Sequence, residues 1–465
     1  MKKLIAFYLC FIVNASYSQG VKERLMQAVQ EMKSDPQLRH AIIAISVVNS
    51  KTGKPVYEHN AQVGLAPAST QKLFTSCAAF DLLGKDYRYT TAIGYKNVKG
   101  SAAGYLFITA SGDPSFGSSR FAATKPGAVL TIIVTALKRN KISPVNESIK
   151  TTYPFSFAVP GSWMWEDIGN YYGAAAQSFN WLENQYDIIV KSGNNIGDTA
   201  VIAGVHPAEA KTPMEAKLLS AAKGSGDNTI VYLPYGNDQS LIEGSVPVNE
   251  NAFSVSASIT QPLTVFSRQL INEIKKAGIP TVDMYNGRPG PSLLTADSAL
   301  QYTELYKHFS PPLDSLNYWF LKKSINLYGE ALIKTMAFQQ TGTGTTEKGV
   351  ALLKDFWASH GIEKSAVNIC DGSGLSPQNR VTADALVKVL QYAKTRPWFS
   401  SFYYALPEYN GMKMKSGSIT GSRAYAGYHT AGNGNEYVFA IVVNNYTGTA
   451  LAAVRALYRV LDNLK

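Results

Sequence analysis

Short stretches of strand length mark both ends of this 465-residue chain, at 41–48, which alternates like a strand, and 56–59, and again at 411–418, 422–430 and 437–445. A period of two is the signature of β-strands, and strands need partners for their backbone N–H and C=O groups. Both ends of the chain are therefore expected to build one sheet, the first pair as a hairpin around the turn at 50–54. Helical periodicity occupies 261–277, 313–337, 347–360 and 382–394, with a terminal helix at 450–464. Between Gly84 and Ala252 the pattern changes to short apolar segments at 105–110, 186–190, 200–205 and 229–233, broken by Gly, Asn and Asp turns, with one helical run at 129–139. The expected fold class is α/β (α+β): a sheet flanked by helices, split by a large β-rich insertion. The divisions fall at 1–18, 19–83, 84–252 and 253–465.

Residues 1–18 read as a secretory signal peptide, with Lys2 and Lys3 before an apolar run at 4–13 and small residues Ser16 and Ser18 before Gln19. Ten apolar residues span about 15 Å as a helix, half of a ~30 Å bilayer core, so the run is too short for a lasting anchor. Cys10 lacks the small residues expected before a lipidated cysteine. The product is expected to be exported to the periplasm or cell envelope, soluble or at most peripheral to the membrane. The net charge of +11 is diffuse, no Lys/Arg run exceeds two residues, and nucleic acid is not an expected partner. Cys77 and Cys370 leave either a disulfide or two buried thiols open.

One stretch carries chemistry. Pro67-Ala68-Ser69-Thr70-Gln71-Lys72-Leu73-Phe74 opens a helical pattern with Leu73, Phe74, Cys77, Ala78 and Leu82 on one face, and a helix is expected to begin at Ser69. Serine and lysine three apart share a face, so the Lys72 amine can reach the Ser69 hydroxyl. A helix N-terminus adds backbone N–H donors suited to an oxyanion. This is the S-x-x-K arrangement of acyl-serine enzymes. Spacing alone decides little, because Ser220-Ala221-Ala222-Lys223 shares it.

Ser69 needs partners. A lysine with a pKa of about 10.4 is rarely neutral at pH 7, a shortfall of about 4–5 kcal/mol, of which a helix N-terminus supplies about 0.3–2 kcal/mol. Desolvation and a second cation must supply the remainder if Lys72 is the base. Lys415-Ser416-Gly417-Ser418 lies in an expected strand and offers that cation, a hydroxyl, close backbone approach at Gly417 and a second oxyanion N–H from Ser418. Ser324-Ile325-Asn326 offers a hydroxyl to relay a proton and an amide to hold a peptide. The histidines are scattered without an H-E-x-x-H pair, and no G-x-S-x-G elbow or phosphate loop occurs. No cofactor or metal is expected.

The order Ser69-x-x-Lys72, Ser324-x-Asn326, Lys415-Ser416-Gly417 resembles penicillin-binding proteins and serine β-lactamases. The 255 positions from Ser69 to Ser324 and 91 from Ser324 to Lys415 resemble the class C low-molecular-mass penicillin-binding proteins, the D-alanyl-D-alanine carboxypeptidase/endopeptidase family. Ala110 to Pro114, Ser310 to Leu313, Ser324 to Glu330 and Asp371 to Ser376 with Asn379-Arg380-Val381 look like that family too. The resemblance implies a serine β-lactamase/transpeptidase-like domain acting on peptidoglycan stem peptides, with β-lactams as inhibitors. Ser69 would be the nucleophile, Lys72 the base and Ser324 the proton carrier. Asn326 would hold the peptide, and Lys415, Ser416 and Ser418 would meet the terminal carboxylate. Asp167, in Trp163-Met164-Trp165-Glu166-Asp167, resembles a family acid that meets a diamino-acid amine; otherwise it is a surface carboxylate beside packed aromatics. Two positions depart from the pattern: Ile325 stands where an acidic residue is common, and Ser416 where threonine is. A β-lactamase, a D-amino-acid amidase or esterase, and a β-lactam sensor without turnover are the alternatives. The oligomeric state is not legible.

Overall fold

The computed structural model describes residues 20–96, 103–147, 149–152, 159–236, 238–282 and 302–465. The expected leader at 1–18 lies outside them. Among the described residues no helix is long and apolar enough to cross a membrane. The chain forms two compact units, one made of the described residues up to Lys85 with Asn317–Ser324 and Val350–Lys465, the other of Asp86–Leu316 with Ile325–Gly349.

In the first unit six antiparallel strands run in the order Glu408–Tyr409, Met412–Ile419, Ser422–Thr430, Glu436–Asn444, Ile42–Asn49, Pro55–His59. The two ends of the chain meet where Ile42–Asn49 pairs with Glu436–Asn444 over its whole length. Both strands are buried nearly throughout, so each must be covered on two faces. Ile43, Ile45, Val47, Phe439, Ile441 and Val443 pack with Leu25 and Val29 of helix 20–34 and with Leu457, Val460 and Leu461 of the terminal helix Ala450–Leu461. On alternate positions sit the smaller Ala44, Ser46, Ala440 and Val442, which let helix Ala383–Lys394 lie close. Helix Lys72–Leu83 packs in turn on that helix. Cys77 and Cys370 are free thiols, and burial pushes the Cys77 thiol up.

Two local expectations are corrected. Ser69 does not open an α-helix: it lies in a 3-10 turn, Ala68–Gln71, and the α-helix starts at Lys72. The helix expected over 313–337 is two helices, Leu313–Lys322 and Asn326–Thr341. Between them Ser324 takes φ +58°, the left-handed region, and Ile325 is extended. Neither glycine nor proline announces that break.

The second unit holds a four-stranded sheet in the order Thr303–Phe309, Thr90–Lys96, Tyr105–Thr109, Lys150–Thr152, and a six-stranded sheet in the order Asn228–Tyr232, Ser240–Pro247, Met214–Ala221, Thr199–His206, Gln185–Lys191, Phe253–Ser258. Its boundary differs from the expected 84–252. Helix Pro262–Lys276 lends Leu263, Phe266, Leu270 and Ile274 to the core shared with Val129, Ile133 and Leu137 of helix Pro126–Arg139. An apolar helix face of this kind belongs to whatever core it closes, regardless of where strand-rich sequence ends.

Phe116, Phe179, Trp181 and Phe266 form an aromatic nest in that core, with His308 against Phe116 at 5.1 Å. His308 is 2% exposed, its Nδ1 lies 3.0 Å from the Tyr306 hydroxyl, and burial lowers its pKa to about 4. A base whose folded pKa is depressed stabilises the fold fully above its unfolded value of 6.5, and the contribution is lost as pH falls from there towards about 4. We therefore expect the urea midpoint to fall across that window, and to fall less steeply in His308→Gln; identical slopes in the two proteins would contradict this.

Candidate active site

Ser69 is half-buried in a turn whose other residues are buried. Pro67 enters the turn in the αR region and Ala68 takes φ +46°, an unusual value for alanine. The Thr70 N–H and hydroxyl both donate to the Pro67 carbonyl, at 3.3 and 2.7 Å. The turn is thus tied down before the α-helix begins.

Two glycines allow two other segments to reach it. A Cβ at Gly417, in the strand Met412–Ile419, would stand 2.3 Å from the Pro67 carbonyl oxygen. A Cβ at Gly374 would stand 2.1 Å from the Ala68 carbonyl oxygen, and this glycine takes φ +82°. Only residues without a side chain tolerate such approach.

Lys72 is fully buried, and its Nζ donates to Ser69 Oγ at 2.9 Å and to the Ser373 carbonyl at 2.6 Å. Its ammonium also lies 5.9 Å from the centre of the Phe320 ring. The Ser373 carbonyl is held by a loop built on Asp371. Asp371 Oδ1 accepts from the Gly374 N–H, Asn379 Nδ2 and Gln71 Nε2, each at 2.9 Å, and Oδ2 accepts from the Ser376 N–H at 2.7 Å. The Gly372 carbonyl accepts from Thr75 Oγ1 at 2.7 Å. The sequence left this segment open between a wall of the site and an ordinary turn. Its contribution to Lys72 is a backbone carbonyl, for which no residue type is a signal.

Lys415 is 1% exposed and its Nζ donates to the Ser416 carbonyl at 2.8 Å. Burial and the charge of Lys72 push its pKa well down. The repulsion is mutual, so the two amines together hold their protons less tightly than separate lysines do.

Strand alternation separates the residues of the third motif. Gly417 faces the Ser69 turn, and Lys415 shares its side of the strand, whereas Ser416 and Ser418 alternate to the other. Ser416 Oγ lies 3.5 Å from the Tyr409 hydroxyl. The strand pairs with Glu408–Tyr409 only at Met412 and Lys413, so from Lys415 onward its outer edge meets no strand among the described residues.

Ser324 ends the segment Asn317–Ser324 of the same unit. That segment is tied to the helix Lys72–Leu83 by Ser76 Oγ, which donates to Asn317 Oδ1 at 2.6 Å, and by Phe320 beside Lys72. Asn326 and Asp167 belong to the second unit, where a tyrosine joins them. Asn326 Nδ2 donates to the Tyr172 carbonyl at 2.7 Å, and the Tyr172 hydroxyl bonds the Asp167 carboxylate. Asp167 is half-buried in the short helix Trp165–Ile168, and burial with the neighbouring Glu166 raises its pKa to about 6. Sequence reasoning missed Tyr172, which no motif marks. Among the described residues no group of three or more His, Cys, Asp or Glu is arranged to hold a metal ion.

Residues 25–463 match the D-Ala-D-Ala carboxypeptidase 3 (S13) family. The chain is 24% identical to a D-alanyl-D-alanine carboxypeptidase of Actinomadura sp. over 93% of its own length and 83% of the relative's. It is 23% identical to D-alanyl-D-alanine carboxypeptidase DacB of Haemophilus influenzae, over 86% and 84%. Its fold is similar to the crystal structure of penicillin-binding protein 4 from H. influenzae, with a TM-score of 0.74 and 20% identity over 95% of this chain and 98% of that one. A structure of that protein with a β-lactam bound matches with a TM-score of 0.69.

The close approach at Gly417 is directly testable. Gly417→Ala should push strand and turn apart at a cost of about 1–3 kcal/mol, a clear fall in melting temperature. Gly432→Ala, with nothing near the added Cβ, should change little; equal melting of the two variants would refute the packing described.

Proposed function

The chain belongs to the D-Ala-D-Ala carboxypeptidase 3 (S13) family and is a serine DD-carboxypeptidase/endopeptidase, and we propose that it works through an acyl-enzyme on Ser69. The observation carrying this assignment is the 2.9 Å contact between Lys72 Nζ and Ser69 Oγ, with Lys72 also held by the Ser373 carbonyl. One hydrogen on Nζ is committed to that carbonyl, which aims the remaining lone pair of the neutral amine at the serine proton. Burial of Lys72 and repulsion within the lysine pair both favour that neutral form.

In this reading the substrate is a peptidoglycan stem peptide ending in D-Ala-D-Ala, or a cross-link made from one, and an envelope location follows from it. Ser69 Oγ bonds to the penultimate carbonyl carbon as its proton passes to Lys72. Negative charge develops on the carbonyl oxygen, met by the backbone N–H groups of Ser69 and Ser418. The C–N bond then breaks, with Ser324 delivering the proton to the leaving amine. Water hydrolyses the ester with Lys72 again as base. Lys415 attracts the terminal carboxylate, while the unpaired edge from Lys415 through Ser418 supplies main-chain bonds to the substrate backbone. To Ser416 we assign its backbone rather than its hydroxyl. Asn326 holds the peptide amide, and Asp167 with Tyr172 takes the side-chain amine of a diamino acid. β-Lactams, which present a similar carbonyl beside a carboxylate, acylate the same serine.

Two measurements test the assignment. Ser69→Ala should abolish both release of D-alanine from a D-Ala-D-Ala peptide and covalent labelling by a fluorescent penicillin, with an unchanged melt; residual labelling would mean another nucleophile. In Lys415→Met the remaining amine loses its cationic neighbour and keeps its proton to higher pH. The ascending limb of the labelling rate against pH should therefore move to higher pH, and an unmoved limb would exclude the coupling of the two lysines.

A further inference from the structure

The second unit carries an aromatic surface that the acylation chemistry does not use. Trp165 is 49% exposed, Tyr235 86% and Met164 47%. The Trp165 ring lies 4.9 Å from that of Tyr232, tilted by 44°, and 6.0 Å from that of Tyr235, at 61°. Rings inclined in this way form an open cradle and do not close into a stack.

The helix beneath Trp165 is fixed to the strand that carries Tyr232. The helix Trp165–Ile168 sits on the edge strand Asn228–Tyr232. The Val231 N–H donates to Asn170 Oδ1 at 3.1 Å, and a Cβ on Gly169 would stand 1.9 Å from the Val231 carbonyl oxygen. Backbone pressed against backbone leaves Trp165 little freedom to collapse onto the protein, so its exposure is preset. Solvent-facing indole and phenol rings are poor solubility choices unless something covers them.

Charge narrows what that is. Glu166 adjoins Trp165, Asp167 follows on the same helix, and Glu243 accepts a hydrogen bond from the Tyr232 hydroxyl. Carboxylates on the rim repel phosphate headgroups and nucleic acid, although the chain as a whole is cationic. They suit a neutral ligand rich in hydroxyl and amide donors, whose C–H faces lie against the electron-rich ring faces. Pyranose rings of N-acetylated amino sugars have that composition.

We propose that Trp165, Tyr232 and Tyr235 form a binding platform for the glycan strand of peptidoglycan. The proposal rests on the reading of stem peptides as substrate and extends it. Trp165 and Asp167 are about 3 Å apart along one helix axis. If Asp167 takes the amine of the diamino acid, the third residue from the sugar, two extended residues of about 7 Å lead back to the saccharide. The glycan then reaches the same helix that reads its peptide.

Two measurements on the full chain decide it. Titration with uncharged oligosaccharides of N-acetylated amino sugars should change the tryptophan fluorescence of the wild type, and Tyr235→Ala and Trp165→Ala should weaken that binding about tenfold or more. No binding, or binding unaffected by both substitutions, overturns the proposal, as does a Tyr235→Ala effect confined to anionic lipid vesicles. In the second, kcat/KM of Tyr235→Ala should fall about tenfold on disaccharide-linked muropeptides and stay at the wild-type value on free stem peptides. Equal values on both, or equal losses on both, overturn it. A wild type that binds glycan but cleaves no peptide would instead sink the reading of the substrate and leave the platform standing.

Discussion

Everything in the first unit depends on how closely two backbone segments approach the Ser69 turn. Gly417 from the strand Met412–Ile419 and Gly374 from the loop after helix Thr346–Ser359 each come within a distance that forbids a side chain. The consequence is electrostatic. Lys72 and Lys415 are brought near enough for one to depress the other's proton affinity, and both are removed from water. Burying a single ammonium is costly and burying two is more so. The structure answers with directed acceptors: the carbonyls of Ser373 and Ser416 and the serine hydroxyl itself.

That answer requires a rigid loop, which explains the investment in Asp371. A carbonyl can orient Lys72 only if its own position is fixed, and Asp371 accepts four hydrogen bonds from Gln71, Gly374, Ser376 and Asn379. Gln71 also donates to the Asp371 carbonyl at 2.6 Å, so the residue before the lysine grips the loop that positions the lysine. A network closed in this way resists loss of any one member more than its individual bonds suggest.

The sequence was informative where chemistry is carried by side chains or by hydrophobic period. The union of the chain's two ends in one sheet was visible in short strand-length stretches at each end, because strands buried on both faces leave apolar runs such as Tyr437 to Val443. Ser69, Lys72 and Lys415 were visible as residue types at a spacing. Three features were not. The break at Ser324 occurs in a residue whose left-handed backbone nothing local demands, so the helical period runs through it unmarked. The outward turn of Ser416 follows from strand parity, which spacing alone does not assign. The Ser373 carbonyl and Tyr172 act through backbone groups and a side chain outside any motif.

The break at Ser324 also divides labour between the two units. Its preceding helix is tied to Ser76 and lies beside Lys72, whereas the helix that follows is committed to the second unit. There Asn326 donates to the Tyr172 carbonyl, Tyr328 to Glu183 at 2.8 Å and Lys334 to the Ala176 carbonyl at 2.8 Å. These bonds run from one helix to residues 172–183, and the Tyr172 hydroxyl supports Asp167. Directional bonds of this kind fix register as well as position, which apolar contact alone does not. Residues assigned to recognising the peptide are thus anchored by bonds within the second unit. A substitution in the helix Asn326–Thr341 therefore falls first on bonds made within the second unit.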